Sequence, residues 1–278
     1  MKSAPFDYVR PKTVAEASAL LAQDGVTTAA IAGGQSLIPM LNLRAAQVDV
    51  LVDLSRLDEL KAVGETSGSV HIGALTTHAA IEDGKVTDPS GGLMRQVAGT
   101  ISYRAVRNHG TIGGSVALAD PAADWPGCLI ALDATVRIAG RNGARQQPVA
   151  EFVQGTYSTS LAAGEIVLGF GFPKPATPPR WGLAKVVRKS GAFANSIAFV
   201  VAHGKGGPVT AVLAAAGPRP IVLAGAAAEL AGGNASDERL RTAIAGDLKT
   251  HLPDADAYEN RLHISTVMRA ARDMWAQA

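Results

Sequence analysis

The sequence predicts an α+β protein. An N-terminal domain of two lobes, about 1–56 and 57–174, is followed by a smaller C-terminal domain, 180–278, of antiparallel strands and helices. Three observations carry this. Strand-like runs alternate with helix-period runs through the N-terminal part. Residues 173–179 hold four prolines and read as a linker. Beyond them, three apolar strand-like runs precede two amphipathic helices.

Residues 11–16 open a helix in which Thr13 caps and Glu16 stands at the capping-box position. Val14, Ala17, Leu20 and Leu21 keep helical spacing, and Gly25 stops the helix. Residues 27–31 read as a short buried strand running into Ala32-Gly33-Gly34-Gln35-Ser36. An apolar helix begins near Ser36, and residues 48–53 supply the next strand. Residues 70–73 alternate like a strand, after which Thr76 or Thr77 caps a helix. A Gly-started helix covers 91–98. Residues 101–108 then lead into Thr111-Ile112-Gly113-Gly114-Ser115, and an apolar helix follows Asp124. Asn142-Gly143 marks a hairpin between residues 135–139 and 146–149. Strands at 183–187, 196–202 and 209–215 follow, the last two joined through Lys205-Gly206-Gly207. Helices at 237–248, capped by Ser236, and at 264–276 complete the chain. The second carries Ile264, Val267, Met268, Ala271, Met274 and Trp275 on one face, a core or subunit-interface stripe.

Composition narrows the function. A formal net charge of +2 with no basic block argues against nucleic acid. The first residues lack the apolar core of a signal peptide, and no apolar run reaches the ~20 residues needed to span a bilayer. The single cysteine, Cys128, fits a reducing cytoplasm and is too few for an iron–sulfur cluster, which takes about four thiolates. It reads as a small buried hydrophobe. Paired carboxylates, metal-ligand spacing and a nucleophile triad are all missing, so no catalytic residue and no metal ligand is assigned.

Two segments place Gly-Gly before a hydroxyl: Gly33-Gly34-Gln35-Ser36 and Gly113-Gly114-Ser115. Glycine admits φ > 0 and leaves no Cβ between backbone and ligand. Consecutive N–H groups then converge on an anion, and Ser36, Thr111 and Ser115 hydroxyls can donate as well. From spacing alone, two tight turns without a ligand fit equally. Neither loop fits G-x-G-x-x-G or a P-loop, so a Rossmann or P-loop site is not expected.

Residues 32–39 and 104–115, extending through Asp120-Pro121-Ala122-Ala123-Asp124, closely resemble the two diphosphate motifs of the FAD-binding (medium) subunit of the xanthine dehydrogenase and carbon monoxide dehydrogenase family of molybdenum hydroxylases. The resemblance covers nearly the whole chain. It implies a two-lobed FAD domain of the vanillyl-alcohol-oxidase/PCMH type. It implies that Ala32, Gly33, Gly34, Gln35, Ser36 and Leu37 hold non-covalent FAD together with Thr111, Ile112, Gly113, Gly114 and Ser115. Asp124 matches a partner for the cofactor's sugar or ribityl hydroxyls, a role compatible with a helix cap. Val167 matches a backbone position approaching the flavin, and Lys185 a cation near it; a snorkelling surface lysine is the alternative there. Gln35 departs from the histidine of many relatives, which removes both a titrating group and a covalent anchor at that position. Arg104 and Arg107 read as solvated cations, phosphate ligands or partner contacts, and His109 as a loop-positioning residue.

The implied function is electron relay in the cytoplasm: electrons pass from two [2Fe-2S] clusters on a small partner, through FAD, to an external acceptor. A large partner carries the molybdenum cofactor, in a dimer of heterotrimers. The alternatives are a stand-alone flavin oxidoreductase of the same fold and a non-catalytic nucleotide-binding module.

Overall fold

The computed structural model describes residues 2–204, 206–233 and 236–277. Three larger sheets follow one another along the chain. The first is parallel, with Val50–Asp53 between Asp7–Val9 and Thr28–Ile31. Asp7–Val9 was not expected, because three residues are too few to show alternation. Thr28–Ile31, expected to be buried, is an edge strand with Ala30 exposed. The helix Val14–Leu21 packs nearby; Thr13 Oγ1 accepts from Glu16 N at 3.1 Å. Glu16 reaches back to Lys12 N at 2.7 Å, one residue beyond the expected capping-box partner. Val14 and Ala17 are buried with Val52, Leu54, Leu57 and Leu60.

The second sheet is antiparallel: Val63–Glu65, Ser69–Gly73, Ile166–Pro173, Thr135–Gly140 and Gly143–Pro148, in that spatial order. The expected hairpin is present. Gly140 pairs with Gly143, which takes φ +99° after the Arg141-Asn142 turn. Alternation puts Val70, Ile72, Val136, Ile138, Phe170 and Phe172 into one core with the helices Leu93–Thr100, Ile112–Leu118 and Asp124–Ala131. Cys128 lies in this core, and burial pushes its thiol well up from its ordinary value.

The third sheet is antiparallel, ordered Arg180–Val187, Ala194–Ala202, Val209–Ala214, Ile221–Val222. Lys205 of the expected connecting turn lies outside the described residues. Ala194–Ala202 is buried on both faces. Ile197, Phe199 and Val201 join the core around Trp125 and Leu129, whereas Ala198 and Val200 face the C-terminal helices. A Cβ at Gly127 would lie 2.7 Å from Phe199 Cε2, so glycine lets the helix Asp124–Ala131 sit directly on this sheet.

Three helices cover the far face. Ala224–Ala231 was not expected, since its alanine-rich sequence shows no apolar stripe. Asp237–His251 is capped by Ser236, whose Oγ accepts from Arg239 N at 3.3 Å. Ala257–Ala276 begins well before the expected Ile264, because Asp256 and Glu259 form a complete capping box. Its expected stripe is core: Val267, Met268, Ala271 and Met274 are buried, with Ile264 and Trp275 half-buried beside them. No helix among the described residues is long and apolar enough to cross a membrane.

Helix Ala257–Ala276 lies so close to the sheet that a Cβ at Gly182 would meet Ala270 C at 2.7 Å and Met274 N at 2.8 Å. Gly182→Ala therefore forces helix and sheet apart. The expected loss is about 3 kcal/mol, as for overpacking of a tight core. Urea unfolding checks it, and an unchanged midpoint would contradict this packing.

Candidate functional site

The first glycine loop leaves the carboxyl end of Thr28–Ile31, and the second opens the helix Ile112–Leu118. Folding brings them together. A Cβ at Gly33 would lie 2.6 Å from the His109 carbonyl carbon and 2.9 Å from Gly110 Cα. From the opposite side, a Cβ at Gly114 would lie 3.6 Å from Ala32 Cβ. Gly34 holds φ +70°, a conformation that L side chains resist. Gln35 Nε2 donates to Gly33 O at 3.0 Å and fixes the loop's shape.

The loops differ in what they offer a ligand. Among the described residues, the N–H groups of Gly33, Gly34, Gln35 and Ser36 have no acceptor within the chain. Ser36 makes no side-chain cap bond either. The second loop is satisfied internally. Ile112 N donates to Thr76 O at 3.0 Å, Gly113 N to Ala74 O at 2.9 Å, and Ser115 N to Thr111 O at 3.1 Å. Gly114 N donates to Thr111 Oγ1 at 3.0 Å. The expected pair of amide nests is thus corrected to one open nest, faced by the exposed Gly114 and the half-buried Ser115. Carbonyls outside the motif, of Ala74 and Thr76, together with Thr111 within it account for the difference.

Those carbonyls tie the second loop to the central sheet. Ala74 N donates to Leu168 O at 3.0 Å, at the register shift between Val167 and Gly169. Val167 itself is buried. Behind the loop, His78 N donates to Gly110 O at 2.9 Å, and Trp125 Nε1 donates to His78 Nδ1 at 3.0 Å. Burial, aided by the Arg107 charge, lowers the His78 pKa from its ordinary 6.5 to about 4, so the imidazole is neutral.

Arg104 is a half-exposed, solvated cation engaged in ion pairs, whereas Arg107 is largely buried; neither is an unpaired phosphate ligand. Arg107 grips Glu82 through Nε and Nη2, both at 2.8 Å, and its Nη1 donates to Ile101 O and Ser102 O. Arg104 makes a fork to Asp83 at 2.7 Å. Hydrogen bonds from Arg107 lead in holding the Glu82 carboxyl below its ordinary value, and Arg104 does the same for Asp83. These pairs fasten the segment before the second loop. His109 enters through its backbone, on which Gly33 rests.

Asp124 and Lys185 meet each other. Lys185 Nζ lies 2.7 Å from Asp124 Oδ1, with side-chain exposures of 11% and 9%, and also donates to Thr100 O at 3.3 Å. Lys185 sits on an edge strand, yet it is not a snorkelling surface lysine. Burial raises the Asp124 pKa despite the lysine's opposing charge. Among the described residues, neither side chain bonds to a glycine loop.

The open nest lines a cleft of about 420 Å³ that also takes in Tyr8, Asp53 and Ser55. Sequence reasoning missed these three. Asp53 ends a parallel strand, the position at which open α/β sheets present ligand groups, and that signal was available.

This geometry suits the diphosphate of a dinucleotide: a row of unpaired N–H donors beside a bare glycine face. A profile of the family described as the FAD binding domain in molybdopterin dehydrogenase matches residues 4–175. The chain belongs to that family. This FAD-binding family member is 33% identical to the carbon monoxide dehydrogenase medium chain of Hydrogenophaga pseudoflava, over 98% of each chain. A solved structure of carbon monoxide dehydrogenase from the same organism contains a chain matching it with a TM-score of 0.92, at 33% identity and 100% coverage of both. A chain of quinoline 2-oxidoreductase from Pseudomonas putida 86 matches with a TM-score of 0.88, at 29% identity over 99% of each. The molybdopterin-dehydrogenase FAD-binding chain is therefore an oxidoreductase component with FAD as its cofactor, on the expected α+β fold.

Proposed function

We propose that this chain is the FAD-carrying medium subunit of a multi-subunit molybdenum hydroxylase, relaying electrons from [2Fe-2S] clusters of a small partner to an external acceptor. A large partner bears the molybdenum cofactor and selects the substrate. The assembly is a dimer of such heterotrimers in the cytoplasm. The division into 1–174, with lobes of about 1–56 and 57–174, and 180–278 belongs to the same proposal.

The open row of N–H groups at Gly33, Gly34, Gln35 and Ser36 carries this reading. Bound FAD supplies a two-electron store that can be filled and emptied one electron at a time. The protein's own task is binding, orientation and charge. The first loop, flanked by Ala32 and Leu37, donates to the diphosphate, with Ser36 adding its hydroxyl. Gly114 and Ser115 close the opposite side, while Thr111, Ile112 and Gly113 hold that loop in place. Asp124, through the oxygen that Lys185 leaves free, would accept from cofactor hydroxyls, Val167 would supply a backbone wall, and Lys185, paired with Asp124, would place a cation near the electron-rich ring. A lone cysteine agrees with clusters carried on another chain.

The test is extraction and co-purification. Native protein is expected to be yellow, to release FAD with acid, and to draw down a cysteine-rich small chain and a large chain. Absence of FAD sinks the proposal. Turnover of an organic substrate by the isolated chain would favour the stand-alone oxidoreductase instead.

A further inference from the structure

Behind the glycine loops stands a side chain that belongs to neither. His78 opens the short helix His78–Glu82 and is 5% exposed. Its backbone is stitched to the second loop. His78 N donates to Gly110 O at 2.9 Å, Ile112 N donates to Thr76 O at 3.0 Å, and Thr77 pairs with Thr111 between them. Its ring is fixed by the core. Trp125 Nε1 donates to Nδ1 at 3.0 Å, and the ring centroids lie 5.9 Å apart. Nδ1 is thus the acceptor, which leaves the proton of the neutral ring on Nε2. Arg107, whose charge helps keep the ring neutral, is itself fixed by Glu82, Ile101 O and Ser102 O.

The Nε2 edge meets the loop. A Cβ at Gly110 would lie 2.8 Å from His78 Nε2 and 2.9 Å from its Cδ2. Gly110 does not hold a positive φ, so glycine is needed there for space and not for backbone conformation. The same short segment receives the first loop, since a Cβ at Gly33 would lie 2.6 Å from the His109 carbonyl carbon and 2.9 Å from Gly110 Cα. His109–Gly110 therefore packs against the imidazole and against Gly33 at once. A histidine that merely fills the core would affect stability alone. A spacer has a thickness on which binding depends, and a methyl group added to its neighbour can replace part of it.

We propose that His78 is a positioning residue for FAD: its imidazole sets how far His109–Gly110 stands from Gly33, and so whether the N–H groups of Gly33, Gly34, Gln35 and Ser36 converge on the diphosphate. The proposal rests on the FAD reading above. It adds a residue that acts through the backbone of the second loop, not through a bond to the cofactor.

The test is a double-mutant cycle on the full-length chain stripped of FAD, read by fluorescence titration with FAD and by thermal unfolding. Gly110→Ala presses the segment off the locked ring. It is expected to weaken FAD roughly tenfold, part of the roughly hundredfold that a full 1 Å displacement costs. His78→Ala lets the segment sink back and is expected to weaken FAD by roughly the same factor. In the double variant the added methyl takes up part of the vacated ring space. The dissociation constant is then expected to return to within about threefold of the parent's, a coupling that independent sites do not show. The melting temperature stays low, because Trp125 Nε1 has lost its acceptor. If His78→Ala does not fold, His78→Asn runs through the same cycle: its amide oxygen can accept from Trp125, and the Nε2 edge is gone. Losses that multiply in the double variant overturn the spacer and leave the FAD reading intact. So do single variants that melt earlier yet bind FAD as the parent does. A parent chain that binds no FAD loses both.

Discussion

Gly33→Ala is expected to give a folded chain that purifies without FAD. The added Cβ would meet the His109 carbonyl carbon at 2.6 Å and Gly110 Cα at 2.9 Å. Both neighbours are backbone, and Arg107 with its Glu82 fork holds their segment from behind. No rotamer relieves the contact, so the first loop must retreat. Its unpaired N–H groups then no longer converge on one anion. A displacement near 1 Å is enough to weaken a preorganised site by roughly a hundredfold. Stability falls much less, because the loop is half-buried and lies apart from the main cores. Gly114→Ala makes the contrast. There the close neighbour is Thr111 Oγ1 at 2.9 Å, a side-chain atom that can turn away at the cost of its bond from Gly114 N, so a loss of roughly tenfold is expected. Fluorescence titration of the apoprotein with FAD reads both. Stoichiometric FAD with an unchanged dissociation constant in Gly33→Ala would show that the contact between the loops does not shape the site.

Trp125→Ala is expected to cost about 3–5 kcal/mol, the range for deleting a fully buried large aromatic. The indole fills the core beneath the second loop and gives His78 Nδ1 its donor. The substitution also changes the acid limb of stability. His78 is lowered to about 4 in the folded chain against 6.5 when free, so the unfolded chain binds the extra proton between those values. Its contribution is complete above pH 6.5 and is lost as pH falls toward 4, about 3 kcal/mol in all. Water entering the Trp125→Ala cavity brings the imidazole toward its free value and flattens this limb. Trp125→Phe keeps an aromatic ring but removes the N–H donor and part of the indole volume, so a smaller loss than for Trp125→Ala is expected. Urea unfolding at pH 7.5 and pH 4.5 measures both effects. Equal slopes in the parent and Trp125→Ala would rule out His78 as the group responsible.

The parts of the site that sequence reasoning reached are those whose chemistry is local. Gly33-Gly34 and Gly113-Gly114 announce themselves because missing side chains and positive φ are properties of consecutive residues. Tyr8 and Asp53 do not, since parallel pairing brings them together across 45 positions. The saturation of the second loop was half hidden: Ile112 and Gly113 donate to Thr76 and Ala74, outside the motif, while Gly114 and Ser115 donate to Thr111 within it. Arg107 resolved as a structural clasp only when folding placed Glu82 in front of it. The fold shows the same division. The stripe from Val267 to Met274 marked a core helix correctly through its period. The run at 27–31 looked buried because apolar residues read alike on central and edge strands. Ala224–Ala231 lacked the polar contrast that makes a helix visible. The Asp256-to-Glu259 spacing is itself a readable start signal for the last helix.

Strand Ala194–Ala202 gives one face to the core around Trp125 and the other to the C-terminal helices. A protease that nicks the proline-rich stretch between Pro173 and Arg180 therefore releases nothing. Both fragments would keep their grip through Phe199, Ile197 and Leu129, and the cut chain would migrate as one particle until denaturant is added. Produced alone, either fragment would expose an oily wall and clump. Any scheme that shuffles these two pieces between relatives has to carry the matching wall along with each piece.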